Sequence, residues 1–129
     1  VYKRQLLDRL CQAGKTMMVA TSKPEVFARK ILDHFQLAAY FSFVGGATLD
    51  GVRSTKEEVI DYVLKTKEVV SLSEVIMVGD RKFDILGAKH AGVSSVGCVY
   101  GYGSREELET AGADYVVDSI GELQNLLLP

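Results

Sequence analysis

The sequence predicts an α/β protein, a three-layer α/β/α arrangement with a mainly parallel sheet between helices. Three observations predict it. Short apolar runs alternate with helix-periodic stretches along the whole chain. Apolar residues make up 47% and charged residues 25%, the balance of a folded globular domain rather than a disordered chain. Four segments, Ser22-x-x-Glu25, Ser54-x-x-Glu57, Ser104-x-x-Glu107 and Ser119-x-x-Glu122, match the capping box with which helices begin. Losing such a serine costs about 1 kcal/mol, so helix structure alone accounts for most of them.

The elements follow in order. A helix is expected over 2–13 on the stripe Leu6, Leu7 and Leu10, stopped by Gly14. A short strand over 16–20 ends at Thr21-Ser22-Lys23-Pro24, and a helix follows to 35 with Phe27, Ile31 and Phe35 at four-residue spacing. A strand over 41–44 is closed by Gly45-Gly46, and Asp50-Gly51 signals a polar turn. A helix over 55–67 uses Val59, Ile60, Val63 and Leu64. The run 75–78 is a buried parallel strand, and the helix after it carries Ile85, Leu86 and Ala88. A strand over 93–99, a glycine-rich turn at Gly101 and Gly103, a short helix to 111, a strand over 114–117 and a helix over 120–128 complete the chain. No repeat, linker or low-complexity tract interrupts residues 1–129, which read as one domain.

Charge and cysteine usage narrow the function classes. A net charge of -2 supplies no basic field for nucleic acid and no polybasic face for a membrane. No run approaches the ~18 apolar residues of a membrane span, and VYKRQLLDRL has no signal-peptide core. Cys11 and Cys98 lack a framework spacing, so both are expected as buried thiols in a reducing, cytoplasmic compartment. His34 and His90 have no ligand partner at i+4 and read as surface or packing residues. Gly101-Tyr102-Gly103 is followed by Glu106 where a dinucleotide fingerprint needs glycine. Tyr100 and Tyr102 read as rim packing or as the mouth of a pocket.

The candidate chemistry lies where strands end. In Val75–Gly92, Gly79 frees the backbone to turn, Asp80 follows the strand, and Asp84 stands four residues on. If the helix starts near Asp80, both carboxylates share one face at the carboxyl edge of the sheet, where open α/β folds bind ligands. Two carboxylates that close repel unless a proton or cation lies between them, which points to Mg2+ held by oxygen ligands. The plainer reading is that Asp80 caps the helix and Asp84 is solvated. Thr21 and Ser22 offer a hydroxyl and backbone N–H groups at a helix start, suited to a phosphoryl oxygen or to capping alone. Lys56 lies in a first helical turn, where a cation opposes the helix dipole. Lys23 is similarly placed but is read as solvent-facing. A hydroxyl, a lysine and two carboxylates after different strands suit phosphoryl transfer, which needs positioning and charge neutralisation.

Thr21-Ser22, Lys56 and Gly79-Asp80-x-x-x-Asp84 resemble the second, third and fourth motifs of the haloacid dehalogenase superfamily, in its phosphoglycolate phosphatase-like branch. VATSKP, RSTKEEVI, VIMVGDRKFDILGAKHAG and VYGYGSREELETAGADYVVDS carry the likeness, in order, through most of the chain. The resemblance implies a Rossmann-like core and a Mg2+-dependent phosphatase acting on a small phosphorylated metabolite, phosphoglycolate- or nucleotide-like, through an aspartyl-phosphate. It implies catalytic roles for Thr21, Lys56 and Asp80. Thr21, assisted by the Ser22 backbone, would bind the phosphoryl oxygen, and Lys56 would balance its charge. Asp80 would ligate Mg2+ and Asp84 would support the metal site.

One departure stands out. The family's first motif, an Asp-x-Asp that supplies nucleophile and general acid/base, is absent, as is the helical cap domain. Asp8 lies inside an amphipathic helix, and Asp50-Gly51 follows the wrong strand. The resemblance therefore implies the carboxy-terminal part of a longer enzyme, inactive by itself, whose missing strand belongs between those ending at Thr21 and Asp80. The alternatives are a catalytically inactive binding or regulatory module and a receiver-like phosphoacceptor domain. The latter needs an acidic pair after the first strand and a phosphoacceptor after the third, and neither is present.

Overall fold

A computed structural model describes residues 2–129. Among them helices and strands alternate as α1 (Tyr2–Gln12), β1 (Met18–Pro24), α2 (Glu25–His34), β2 (Phe43–Ala47), α3 (Lys56–Thr66), β3 (Ile76–Gly79), α4 (Lys82–Ala91), β4 (Ser94–Cys98), α5 (Arg105–Ala111), β5 (Tyr115–Val117) and α6 (Ile120–Leu127). Short 3₁₀ turns at Ala38–Tyr40 and Leu72–Glu74 precede β2 and β3. The class is α/β, and every strand pairing is parallel. The chain divides into two compact units, the first reaching Glu68 and the second running from Val69 to Leu127. The strands form two sheets, β1-β2 and β3-β4-β5, rather than one continuous five-stranded sheet. No described helix is long and apolar enough to cross a membrane.

In the first unit Met18 lies beside Phe43 and Ala20 beside Gly45. The sequence predicts that Gly45-Gly46 closes β2, yet the strand continues through both to Ala47. The glycines are needed for packing: a Cβ at Gly45 would collide with Val63 of α3, and one at Gly46 would lie 2.6 Å from the Cα of Glu25 in α2. Successive strand residues face opposite sides, so α3 covers one face of this sheet and α2 the other. That close approach also corrects the reading of α2. Glu25 and Ala28 turn toward the sheet, and Ala28 is buried, whereas Phe27, Ile31 and Phe35 are 50%, 44% and 58% exposed. The four-residue period is real but marks an outward side. In α1, Leu6 and Leu10 are buried as expected. Cys11 is exposed rather than buried, because it lies off that stripe. Asp8 accepts a hydrogen bond from the Tyr40 hydroxyl.

In the second unit Ile76 pairs with Ser94 and Val96 with Tyr115. Ile85, Ala88, Val96 and Leu108 are fully buried and form its core. Gly97 lets α5 approach β4, since a Cβ there would lie 3.0 Å from Leu108. Buried Ser95 is satisfied by a reciprocal pair: its N–H donates to Asp114 at 2.8 Å and its hydroxyl accepts from the Asp114 N–H at 3.3 Å. Cys98 is buried as expected.

Two capping serines act as predicted: Ser104 accepts from the Glu107 N–H at 3.0 Å and Ser119 from the Glu122 N–H at 3.1 Å. The other two do not. The helix α3 starts one residue later than its Ser54 box requires. There Thr55 accepts from the Glu58 N–H, and the Glu58 carboxylate takes the Thr55 N–H, each at 3.1 Å. Ser-Thr-Lys-Glu-Glu holds two overlapping boxes, and the second is used. Ser22 caps nothing, because Pro24, at φ -54°, is the residue that enters α2.

Candidate functional site

In the first unit the ladder between β1 and β2 is irregular beyond Ala20. Ala20 lies beside Gly45 and Pro24 beside Ala47, so Thr21, Ser22 and Lys23 together face Gly46 alone. The segment is therefore a bulge at the end of a strand, not the helix start expected from the sequence; bulges re-aim side chains and recur beside active sites. The Thr21 hydroxyl oxygen accepts the Lys23 N–H at 3.2 Å, leaving its own hydrogen to donate. Ser22 and Lys23 are exposed. Lys56, the first residue of α3, extends to the same place: its Nζ donates to the Ala20 carbonyl at 3.2 Å. A cation is thus held beside Thr21 at a helix start that disfavours it.

Side chains complete the strand opposite the bulge. The Gly46 N–H donates to Glu25 Oε1 at 3.2 Å, and Arg53 Nε donates to the Gly46 carbonyl at 2.8 Å. Arg53 also stacks 3.5 Å from the centroid of the Tyr62 ring and stands 3.6 Å from Glu25.

In the second unit Asp80 follows β3 but precedes α4, which begins at Lys82. The two carboxylates therefore do not share a helical face. Instead the Asp84 side chain turns back, and its Oδ2 accepts the Asp80 N–H at 3.0 Å and the Arg81 N–H at 3.2 Å. Asp84 is 5% exposed, and Gly79 is required beside it, since a Cβ there would run into its carboxylate. The plainer sequence reading has the roles reversed: Asp84 does the capping and is buried.

The loop after β4 wraps Asp80. The Tyr102 N–H donates to Asp80 Oδ2 at 3.1 Å and the Gly103 N–H to its carbonyl at 2.7 Å. A side chain at Gly101 would collide with the Asp80 carboxylate, and one at Gly103 with its carbonyl. Glu107 completes the clasp: its Oε2 accepts the Lys82 N–H at 2.8 Å and Arg81 Nε at 3.0 Å. Those donors, Lys82 first and Arg81 next, hold the Glu107 carboxyl below the usual range. By sequence alone Gly101 and Gly103 read as a turn and Glu107 as part of a capping box. The available signal is two glycines two residues apart, starting three residues after the end of β4.

The pair fits a hard divalent cation. Asp80 Oδ1 accepts no hydrogen bond among the described residues, while Oδ2 and the backbone are tethered. Among the described residues no three His, Cys, Asp or Glu side chains are grouped as a metal cage. One or two carboxylates with water and substrate oxygens is the usual protein contribution to Mg2+. The structure thus joins Thr21 with Lys56 and Asp80 with Asp84, one pair in each unit. His34 and His90 are exposed, His34 lying edge-on to Phe35. Tyr100 and Tyr102 are exposed as well, and burial raises the Cys98 thiol above its ordinary range.

Comparison with known proteins identifies relatives. The model of the haloacid dehalogenase-like hydrolases matches residues 3–98. A 5'-nucleotidase of Pseudomonas aeruginosa is 40% identical over 123 residues, covering 95% of this chain and 55% of that protein. A phosphoglycolate phosphatase of Vibrio parahaemolyticus is 38% identical over 120 residues, covering 93% and 52%. The crystal structure of a predicted phosphatase from Clostridium acetobutylicum superposes with a TM-score of 0.93 at 45% identity, over 96% of this chain and 57% of that one. The chain spans about half the length of the curated relatives it matches.

Proposed function

The chain belongs to the haloacid dehalogenase-like hydrolases, and on that premise we propose that its protein is a Mg2+-dependent phosphatase of small phosphomonoesters. The observation that carries this reading is the Lys56 ammonium held at the Ala20 carbonyl, beside the Thr21 bulge, from a position 36 residues away. A lysine placed against a helix dipole and at a strand end suits an anion. In this reading the Thr21 hydroxyl donates to a phosphoryl oxygen, with Ser22 offering its backbone. Lys56 neutralises charge that builds on that group. Asp80 and Asp84 are the residues that would hold Mg2+, which when bound supplies further charge neutralisation at the phosphoryl group. Asp80 presents its open oxygen, and Asp84 fixes the backbone on which Asp80 stands. The reaction runs through an aspartyl-phosphate. Residues 1–129 contain no Asp-x-Asp, so the nucleophilic carboxylate is assigned to a segment outside them.

The substrate is a small phosphorylated metabolite, phosphoglycolate- or nucleotide-like, a reading supported by the names of the two relatives. A cytoplasmic location is supported by two free cysteines. The test is turnover of phosphoglycolate and of nucleoside 5'-monophosphates by the whole protein with Mg2+, compared with its Asp80→Asn variant. The substitution should lower kcat/KM roughly a hundredfold or more. Activity unaffected by it would refute the metal role.

A further inference from the structure

We infer that Arg53, acting with Glu25, is a positioning residue that sets the Thr21–Lys23 bulge and so the hydroxyl of Thr21; this rests on the phosphatase reading above. The argument begins with Gly46. Three residues of β1 face it, so the strand cannot bond its N–H and C=O in regular ladder fashion. Both groups are taken instead by side chains, the N–H by Glu25 at 3.2 Å and the carbonyl by Arg53 Nε at 2.8 Å. Buried backbone groups without partners are costly, so this pair of side chains is what makes a bulge of that size tolerable.

Arg53 is held ready for the task. Its backbone closes a turn, with Thr48 N–H donating to the Arg53 carbonyl at 2.7 Å and Arg53 N–H donating to Thr48 Oγ1 at 2.9 Å. Its guanidinium carbon lies over the Tyr62 ring, 3.5 Å from the centroid, and the group approaches Glu25 at 3.6 Å while Nε reaches Gly46. A planar fork can stack, donate sideways and face a carboxylate at once, which a lysine ammonium cannot. The other wall of the bulge is equally close. A Cβ on Gly46 would stand 2.8 Å from the Lys23 carbonyl and 2.6 Å from the Glu25 Cα. Only Ser22 separates Lys23 from Thr21, so any shift there is passed directly to the hydroxyl that also accepts the Lys23 N–H.

The experiment compares Arg53→Lys in the whole protein with the same substitution in a Thr21→Ala background. It measures kcat, KM, the inhibition constant of inorganic phosphate, and the melting temperature. In the wild-type background Arg53→Lys should raise KM and the phosphate inhibition constant on the order of tenfold, the worth of one charged hydrogen bond. In the Thr21→Ala background the same change should shrink to below about threefold, because the group through which Arg53 acts is gone. Equal losses in both backgrounds, or a lowered melting temperature with an unchanged phosphate constant, would overturn the inference and leave the phosphatase reading standing. Should Arg53→Lys fail to fold, Glu25→Gln, which keeps an oxygen for the Gly46 N–H and loses only the charge facing Arg53, provides the same comparison. A wild-type protein that neither hydrolyses phosphomonoesters nor binds phosphate would remove the reading and the inference together.

Discussion

Replacing Asp84 with alanine should destabilise the protein in the complete absence of metal. One carboxylate oxygen accepts two backbone N–H groups, from Asp80 and Arg81, inside a side chain that is 5% exposed. Removing it leaves both donors unsatisfied where water has limited access, at about 1–1.5 kcal/mol each for partly buried groups. It also removes a negative charge from the first turn of α4, worth about 0.3–1 kcal/mol. The sum is a loss of roughly 2–4 kcal/mol. Asparagine keeps an oxygen acceptor and loses only the charge, so Asp84→Asn should cost about 1 kcal/mol. Asp80→Asn keeps the acceptor for the Tyr102 N–H and should cost less than about 1 kcal/mol while lowering kcat/KM roughly a hundredfold or more. Urea unfolding in excess EDTA measures all three. An Asp84→Ala protein within about 0.5 kcal/mol of wild type under those conditions would refute the capping geometry, since surface substitutions without structural roles fall in that range.

Two further outcomes follow from the same contacts. Gly101→Ala places a methyl against the Asp80 carboxylate and should raise the Mg2+ concentration for half-maximal activity about tenfold, the usual scale for disturbing a ligand's supporting shell; an unchanged Mg2+ titration would count against the clasp. Stability should fall on acidification below the ordinary glutamate value of 4.5, because Glu58 and Glu107 are both held below it by the N–H groups they accept. A depressed folded-state value means stability present above that pH and lost as pH falls through it. Glu107→Gln should flatten the acid limb of a stability-versus-pH curve, and an unaltered limb would show that its bonds to Lys82 and Arg81 are not formed in solution.

Much of the fold was legible because strand and helix periods alternate cleanly and the helices carry local start signals. Thr55, rather than Ser54, starts α3 because overlapping Ser-Thr-x-Glu-Glu boxes compete, and packing of Val59, Ile60 and Val63 decides between them. The stripe Phe27, Ile31, Phe35 misled for a different reason. Periodicity reports that one face of a helix is apolar, while Gly46 and Ala28 determine which face can come close to the sheet. At the candidate site, the place of Lys56 in the first turn of α3 and of Asp80 directly after β3 was readable from spacing. The turn of the Asp84 side chain back onto the backbone was not, because it depends on where α4 begins to within one residue. The roles of Arg53 and Glu107 were hidden as well. Glu107 bonds a backbone N–H 25 residues away and Arg53 reaches back seven residues to a strand carbonyl, and no local pattern encodes such partners.

The pairing of strands close in sequence has a consequence for how the chain opens. Met18 meets Phe43, Ile76 meets Ser94 and Val96 meets Tyr115, so each ladder is closed by one intervening helix. Loop closures this short cost little entropy, and each sheet belongs to a unit continuous in sequence. Amide protection should accordingly fall into two groups that exchange with their own free energies, one for each sheet. The bulge at Thr21 and the clasp at Asp80 then ride on different cooperative segments. Thr21 with Lys56, and Asp80 with Asp84, need not be lost together when the protein is warmed or partly denatured.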